Sequence, residues 1–278
     1  MQLGEYGVWT TYHAIGADHA GEAARLVEDL GFGSFWLGSS PRLPELRPIL
    51  KATERLVAAT GIVNVWQYEP AQLAAEQTEL SEAFPDRVLV GIGIGHPDAT
   101  SDYSRPLSTM RTFLDGLDAS DPPLPPERRC LAALGPKMLD LAAERSRGVL
   151  SYFVPVEHTR FARERMGAGP LLAVELACVV DEDTERARAA ARSYAQLYLG
   201  LRNYTSNLLR FGFSEDDIAG GGSDRLIDAV IPHGNAGQIA EVVRAHLDAG
   251  ADHVCLQPLG QSGIPRDQWS ALASELIS

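Results

Sequence analysis

Positive charge is scarce in this sequence. Its 278 residues hold 24 Lys and Arg against 37 Asp and Glu, a formal net charge of -13. The basic stripe that a nucleic-acid face requires has no residues to build it, so nucleic acid is set aside as a partner. Cysteine is scarce too. Cys130, Cys178 and Cys255 are odd in number and widely spaced, and each sits in an apolar run that reads as a strand. They read as reduced core thiols in a reducing compartment rather than as a disulfide framework. Long apolar runs are missing: "LLAVELACVV", from Leu171, has ten residues and is broken by Glu175, where a membrane span needs about 20. The opening "MQLGEYGVWT" has neither a basic flank nor an apolar segment behind it, so no export signal and no membrane partner are expected, and a cytoplasmic location is.

Several motifs are missing as well. There is no G-x-S-x-G elbow, which disfavours a serine hydrolase. The seven histidines include no pair at i, i+4 and no H-x-H, so no metal site is expected. The run "RVLVGIGIGHP" places Gly91, Gly93 and Gly95 as G-x-G-x-G, with His96 and Pro97 where a dinucleotide fingerprint needs its last glycine. The polar stretch that follows allows no helix before about Ser104, so a bound dinucleotide would lack the helix N-terminus that meets its pyrophosphate. What remains is a buried strand whose alternate glycines let something approach its backbone.

Present throughout is a β-then-α rhythm. Strands are predicted at Tyr6 to Thr10, Ser34 to Leu37, Gly61 to Trp66, Val88 to Ile94, Cys130 to Leu134, Gly148 to Phe153, Leu171 to Val180 and His253 to Gln257. Between them, Asp18 to Leu30 and Pro70 to Phe84 each carry one apolar stripe, and Pro70, Pro136 and Pro265 stand where a first helical turn tolerates proline. The pattern predicts an α/β fold, a (β/α)8 TIM barrel filling 1–278 as a single domain, with 201–231 as an insertion between strands 7 and 8 that covers the barrel mouth.

Barrel chemistry sits at the C-terminal strand ends. Those ends bring forward Ser39 and Ser40, Asn64 and Trp66, Gly95 and His96, and Ser151 and Tyr152. In "ALGPKM", Gly135 and Pro136 lead from a strand into a helix whose free N–H groups suit a phosphate, with Lys137 in reach; an ordinary βα turn reads equally well. His96 is the best general acid or base by position, against the plainer reading of a loop histidine. Glu175 is either a buried functional acid or a paired structural carboxylate.

"TGIVNVW", "EPAQLAAEQTELSEAFPDRVLVGIGIGH", "LAALGPKMLDLAAERSRGV" and "AGADHVCLQPL" resemble the luciferase-like superfamily, in particular its branch using the deazaflavin coenzyme F420. The resemblance implies a non-prolyl cis peptide at Gly61-Ile62, and glycines that let a flat ring approach the barrel wall. It implies cofactor contacts at Ser39, Gly61, Ile62, Asn64, Gly93, Gly95, His96, Leu134, Gly135 and Pro136, with His96 or Tyr152 moving the proton. Lys137, Arg160 and Arg163 are candidates for the coenzyme's anionic tail, and Trp9, Trp36 and Trp66 for an aromatic pocket. Several relatives end strand 2 with an Asp-His pair, where this chain has Ser39 and Ser40. The function implied is hydride transfer between F420 and a small organic substrate. The alternatives are an FMN-dependent monooxygenase and a non-catalytic flavin or deazaflavin carrier. Members of the superfamily are often dimers, and nothing in this sequence opposes a homodimer.

Overall fold

A computed structural model describes residues 1–95 and 105–277. The strands are β1 (Tyr6–Thr10), β2 (Ser34–Leu37), β3 (Val57–Thr60), β4 (Val63–Asn64), β5 (Val88–Gly93), β6 (Arg129–Ala132), β7 (Gly148–Tyr152), β8 (Leu171–Val180), β9 (His233–Gly234) and β10 (His253–Pro258). They run in the order β10-β1-β2-β3-β5-β6-β7-β8, and β10 pairs in parallel with both β1 and β8, which closes the barrel. The short β4 continues β3 along β5, and β9 lies beside the end of β8. The expected barrel is present.

The third strand differs from its predicted form. It begins at Val57 and breaks after Thr60, and β4 resumes it at Val63 beyond the Gly61–Ile62 peptide bond, which is cis. The run of alternating small and β-branched residues from Val57 could have placed the start earlier.

Thirteen helices are described: α1 (Tyr12–Ile15), α2 (Ala20–Asp29), α3 (Arg47–Ala52), α4 (Pro70–Ala83), α5 (Pro106–Asp118), α6 (Pro136–Arg145), α7 (Val156–Met166), α8 (Thr184–Leu199), α9 (Arg202–Arg210), α10 (Glu215–Ile218), α11 (Asp224–Val230), α12 (Ala236–Asp248) and α13 (Arg266–Leu276). Their sequences explain their ends and faces. Proline opens α4, α5 and α6, and Asn235 with Gln238 forms a capping box on α12. Ala20, Ala23, Ala24 and Val27 form the buried stripe of α2.

Strand alternation sorts side chains into separate cores. Val8, Phe35, Ala58, Val90, Leu131, Val149, Val174 and Leu256 point outward and pack with the helices. Trp9, Trp36, Ala59, Leu89, Cys130, Leu150, Ala173 and Cys255 fill the inside. One polar cluster is sealed inside: Ser34 Oγ lies 2.9 Å from His253 Nε2 and accepts a hydrogen bond from the Trp36 indole at 2.9 Å. A Cβ on Gly7 would lie 2.1 Å from that Ser34 oxygen, so glycine there makes the cluster possible. All three cysteines are buried free thiols. A further core joins α8, α9 and α11 to the strand ends through Ala195, Tyr204, Leu208, Ile227, Phe153 and Val179. No helix among the described residues is long and apolar enough to cross a membrane.

Candidate active site

A cavity of about 760 Å³ opens among the C-terminal ends of the barrel strands. Ser39, beyond β2, lines it with Gly61, Ile62 and Asn64 around β4, and with Gly93 and Gly95 at the end of β5. Leu134 and Gly135, between β6 and α6, and Tyr152, ending β7, line it as well. The structure therefore gathers most of the residues picked from the sequence. Pro136 faces instead an adjoining groove of about 380 Å³, shared with Lys137 and Arg210. His96 lies outside the described residues.

The glycines of β5 also make room for the turn between β3 and β4. A Cβ on Gly91 would sit 2.0 Å from the Thr60 carbonyl oxygen, and one on Gly93 would sit 2.7 Å from Ile62 side-chain carbons. At Gly95, where φ is +71°, a Cβ would meet the Asn64 amide at 2.5 Å. The β3–β4 turn packs against the glycines, and Gly61, Ile62 and Asn64 of that turn face the cavity together with Gly93 and Gly95. Hydrogen bonds hold it in place: the Thr60 hydroxyl donates to Gly91 O at 2.9 Å, and the Trp9 indole donates to Gly61 O at 3.1 Å. Of the three candidate tryptophans, Trp9 alone lines the cavity. Trp36 is fully buried inside the barrel, and the Trp66 indole donates to Ile94 O at 2.8 Å. Ser39 and Ser40 take left-handed φ values of 64° and 52°.

Tyrosines and one carboxyl make the inner wall. The Tyr152 hydroxyl donates to Tyr194 at 2.6 Å, and Tyr194 donates to Gln257 Oε1 at 3.0 Å. With its proton so placed, Tyr194 accepts from Tyr198 across 3.2 Å. Burial pushes the ionisation of Tyr152 and Tyr194 far up, so both hydroxyls are neutral. Glu175, on β8, lines the cavity at 5% exposure. Burial pushes its carboxyl well above the ordinary range.

The roof comes from α9. Asn203, Ser206, Asn207 and Arg210 lie on one helical face and line the cavity. Asn203 Oδ1 and Asn207 Nδ2 are buried without a hydrogen-bond partner, while Arg210 donates to Asn207 Oδ1 at 3.2 Å.

The chain matches the luciferase-like monooxygenase profile over residues 2–119 and 103–256. It belongs to that family. A curated relative, the 5,10-methylenetetrahydromethanopterin reductase of Methanolobus tindarius, is 26% identical over 213 residues, 61% of this chain and 64% of the relative. The match thus spans under two thirds of that protein. Among solved structures, an F420-dependent secondary alcohol dehydrogenase bound to an F420-acetone adduct superposes with a TM-score of 0.75 at 17% identity, over 99% of this chain and 98% of that one. The FMN-bound oxygenating constituent of 3,6-diketocamphane monooxygenase from Pseudomonas putida superposes with a TM-score of 0.66 at 15% identity, over 98% and 96%.

As a luciferase-like monooxygenase family member the chain is an enzyme, and its roof holds the residues that sequence reasoning missed. The signal was available: Asn203, Asn207 and Arg210 recur at helical spacing inside the insertion. Arg163, expected near the tail, is corrected. Its guanidinium donates to Gly250 O, Gly167 O and Pro170 O and pairs with Asp252 at 2.6 Å, so every guanidinium nitrogen is engaged in fixing the loops leading into β8 and β10. Arg160 is exposed and lines neither cavity nor groove. His158 was not anticipated either. Its Nε2–H donates to Leu134 O at 3.0 Å, and its ring packs edge-on against Phe211 beside α9, joining the Gly135 loop to the roof.

Proposed function

We propose that this chain is a coenzyme F420-dependent oxidoreductase that moves a hydride between the deazaflavin ring and a small organic substrate. The observation that carries the reading is the make-up of the cavity: an apolar turn on one wall, an unpartnered polar roof, and an uncapped helix N-terminus at its edge. A Cβ on Gly135 would meet nothing within 4 Å, and no side chain caps α6. A phosphate has room there and meets the positive end of the helix dipole. Lys137 and Arg210 flank the adjoining groove, where an anionic tail fits. Asn203 and Asn207 offer a buried acceptor and donor to a polar ring edge.

When bound, the coenzyme supplies the hydride. The chain's own residues do the rest: the β3–β4 turn orients the ring, α9 keeps water from it, and the inner wall manages the proton. The solved neighbour named as an F420-dependent alcohol dehydrogenase supports this reading. An FMN monooxygenase is the second reading, supported by the FMN-bound neighbour.

Fluorescence titration of the purified protein with each cofactor separates the two. Binding of F420 at micromolar or tighter affinity, with FMN clearly weaker, is expected. Tighter FMN binding with substrate-dependent oxygen uptake would move the chain to the monooxygenases.

A further inference from the structure

We infer that Glu175 is the proton donor of this site, a neutral carboxylic acid in the cavity wall that protonates the substrate atom on which negative charge develops as the hydride arrives. The inference rests on the oxidoreductase reading above.

The strand pattern puts the carboxyl there. Along β8, Leu172, Val174, Leu176 and Cys178 belong to the core shared with the helices, and Ala173 belongs to the barrel interior. Glu175 is therefore on the inward side, between the small side chains of Ala173 and Ala177. In register it stands beside Tyr152 on β7 and Cys255 on β10.

A carboxylate in that position would require a cation or several donors. Among the described residues none forms a hydrogen bond or ion pair with it. The groups facing it are the hydroxyls of Tyr152, Tyr194 and Tyr198 and the thiol of Cys255. The Tyr152 proton is directed to Tyr194 and the Tyr194 proton to Gln257, Tyr198 hydrogen-bonds with Tyr194, and the Cys255 thiol donates to Val174 O at 3.5 Å. Arg210, the one cation lining the cavity among the described residues, sits on the roof against Asn207. Glu175 thus keeps its own proton and presents it to the cavity, as general acid catalysis near neutral pH requires.

The step balances. A hydride from the reduced deazaflavin forms a C–H bond at the substrate's electrophilic carbon, which breaks that carbon's π bond to oxygen or nitrogen. The heteroatom takes the Glu175 proton. The substrate gains two electrons, the coenzyme loses two, and Glu175 is left as carboxylate to be reprotonated from water.

Infrared difference spectra of wild type minus Glu175→Gln, recorded at neutral pH without cofactor, are expected to show the carbonyl stretch of a protonated carboxylic acid. A difference holding carboxylate bands alone overturns the assignment. With reduced F420 and small ketone probes such as acetone, Glu175→Gln is expected to lower kcat about a hundredfold or more with F420 affinity unchanged, and Glu175→Asp to restore part of it. Wild-type turnover in Glu175→Gln, with the loss appearing instead in His96→Ala, overturns Glu175 and leaves the coenzyme reading intact. Failure of the wild type to bind F420 overturns both.

Discussion

Gly91 is the position where one added methyl group should disturb both fold and site. In Gly91→Ala the new Cβ would lie 2.0 Å from the Thr60 carbonyl oxygen and 3.2 Å from its carbon. The obstacle is backbone, so no rotamer change relieves it, and reaching even 3.0 Å needs a shift of about 1 Å. That shift would strain the hydrogen bond from the Thr60 hydroxyl to Gly91 O at 2.9 Å and that from Gly61 N–H to Leu37 O at 2.8 Å. Overpacking of this kind costs about 1 to 3 kcal/mol, and a rigid backbone partner favours the upper end. At roughly 2 to 4 °C per kcal/mol for a chain of this size, a cost of about 2 to 3 kcal/mol should lower the melting temperature by about 4 to 12 °C. Urea denaturation with unchanged m-value is the assay. Gly169→Ala is the control: its Cβ meets nothing within 4 Å and its φ lies outside the left-handed region, so a small gain of about 0.4 to 1 kcal/mol is expected from reduced unfolded-state entropy. Because the displaced turn also walls the cavity, coenzyme affinity should drop in Gly91→Ala. Stability within about 0.5 kcal/mol of wild type would refute the assignment of the β5 glycines to the turn.

Two further outcomes are expected. Arg210→Ala removes a cation shared by cavity and groove, so F420 should bind about ten- to a hundredfold more weakly, the range for one hydrogen bond to a charged group, with a flatter salt dependence; unchanged affinity in a titration would take the tail elsewhere. Burial also pushes His158, His246 and His253 each down to about 4, against about 6.5 in an unfolded chain. Unfolding then takes up protons between those limits, so stability present above pH 6.5 is lost as pH falls toward 4. Unfolding free energies from urea titrations between pH 7 and pH 4 should fall with pH at a slope approaching about two protons per molecule, three taken up by these rings less the one that neutral Glu175 releases on unfolding, and a flat profile would show that these rings are already charged in the fold.

The sequence carried the architecture well because periodicity is a local property. Val8 and Trp9, or Val174 and Glu175, announce opposite faces by alternation alone, and Pro70 and Pro136 mark helix starts without reference to anything distant. The same is true of strand ends, which is how Ser39, Asn64, Gly135 and Tyr152 were found. What stayed hidden depends on pairing across the barrel. Nothing within "VLVGIGIG" says that Gly91 faces Thr60 or that Gly93 faces Ile62, since those contacts exist only once β5 lies against β3 and β4. Arg163 looked like a free cation because its partners, Gly250 and Asp252, lie almost ninety residues onward. Glu175 was open to two readings for the same reason: only the closed barrel shows which groups stand around it.

The separate core beneath the roof bears on how such an enzyme changes over generations. Tyr204, Leu208, Ile227 and Val230 hold α9 and α11 against Phe153 and Val179, while the barrel strands are joined to their outer helices by a different set of side chains. Substitutions at Asn203, Ser206 or Arg210 alter what the roof shows to a bound molecule, yet touch none of the contacts that close the sheet. The cavity-facing side of α9 and the closure of the barrel are thereby uncoupled, so a lineage carrying this chain can vary those few positions while the residues that seat α9 and α11, and the barrel itself, stay under unchanged selection.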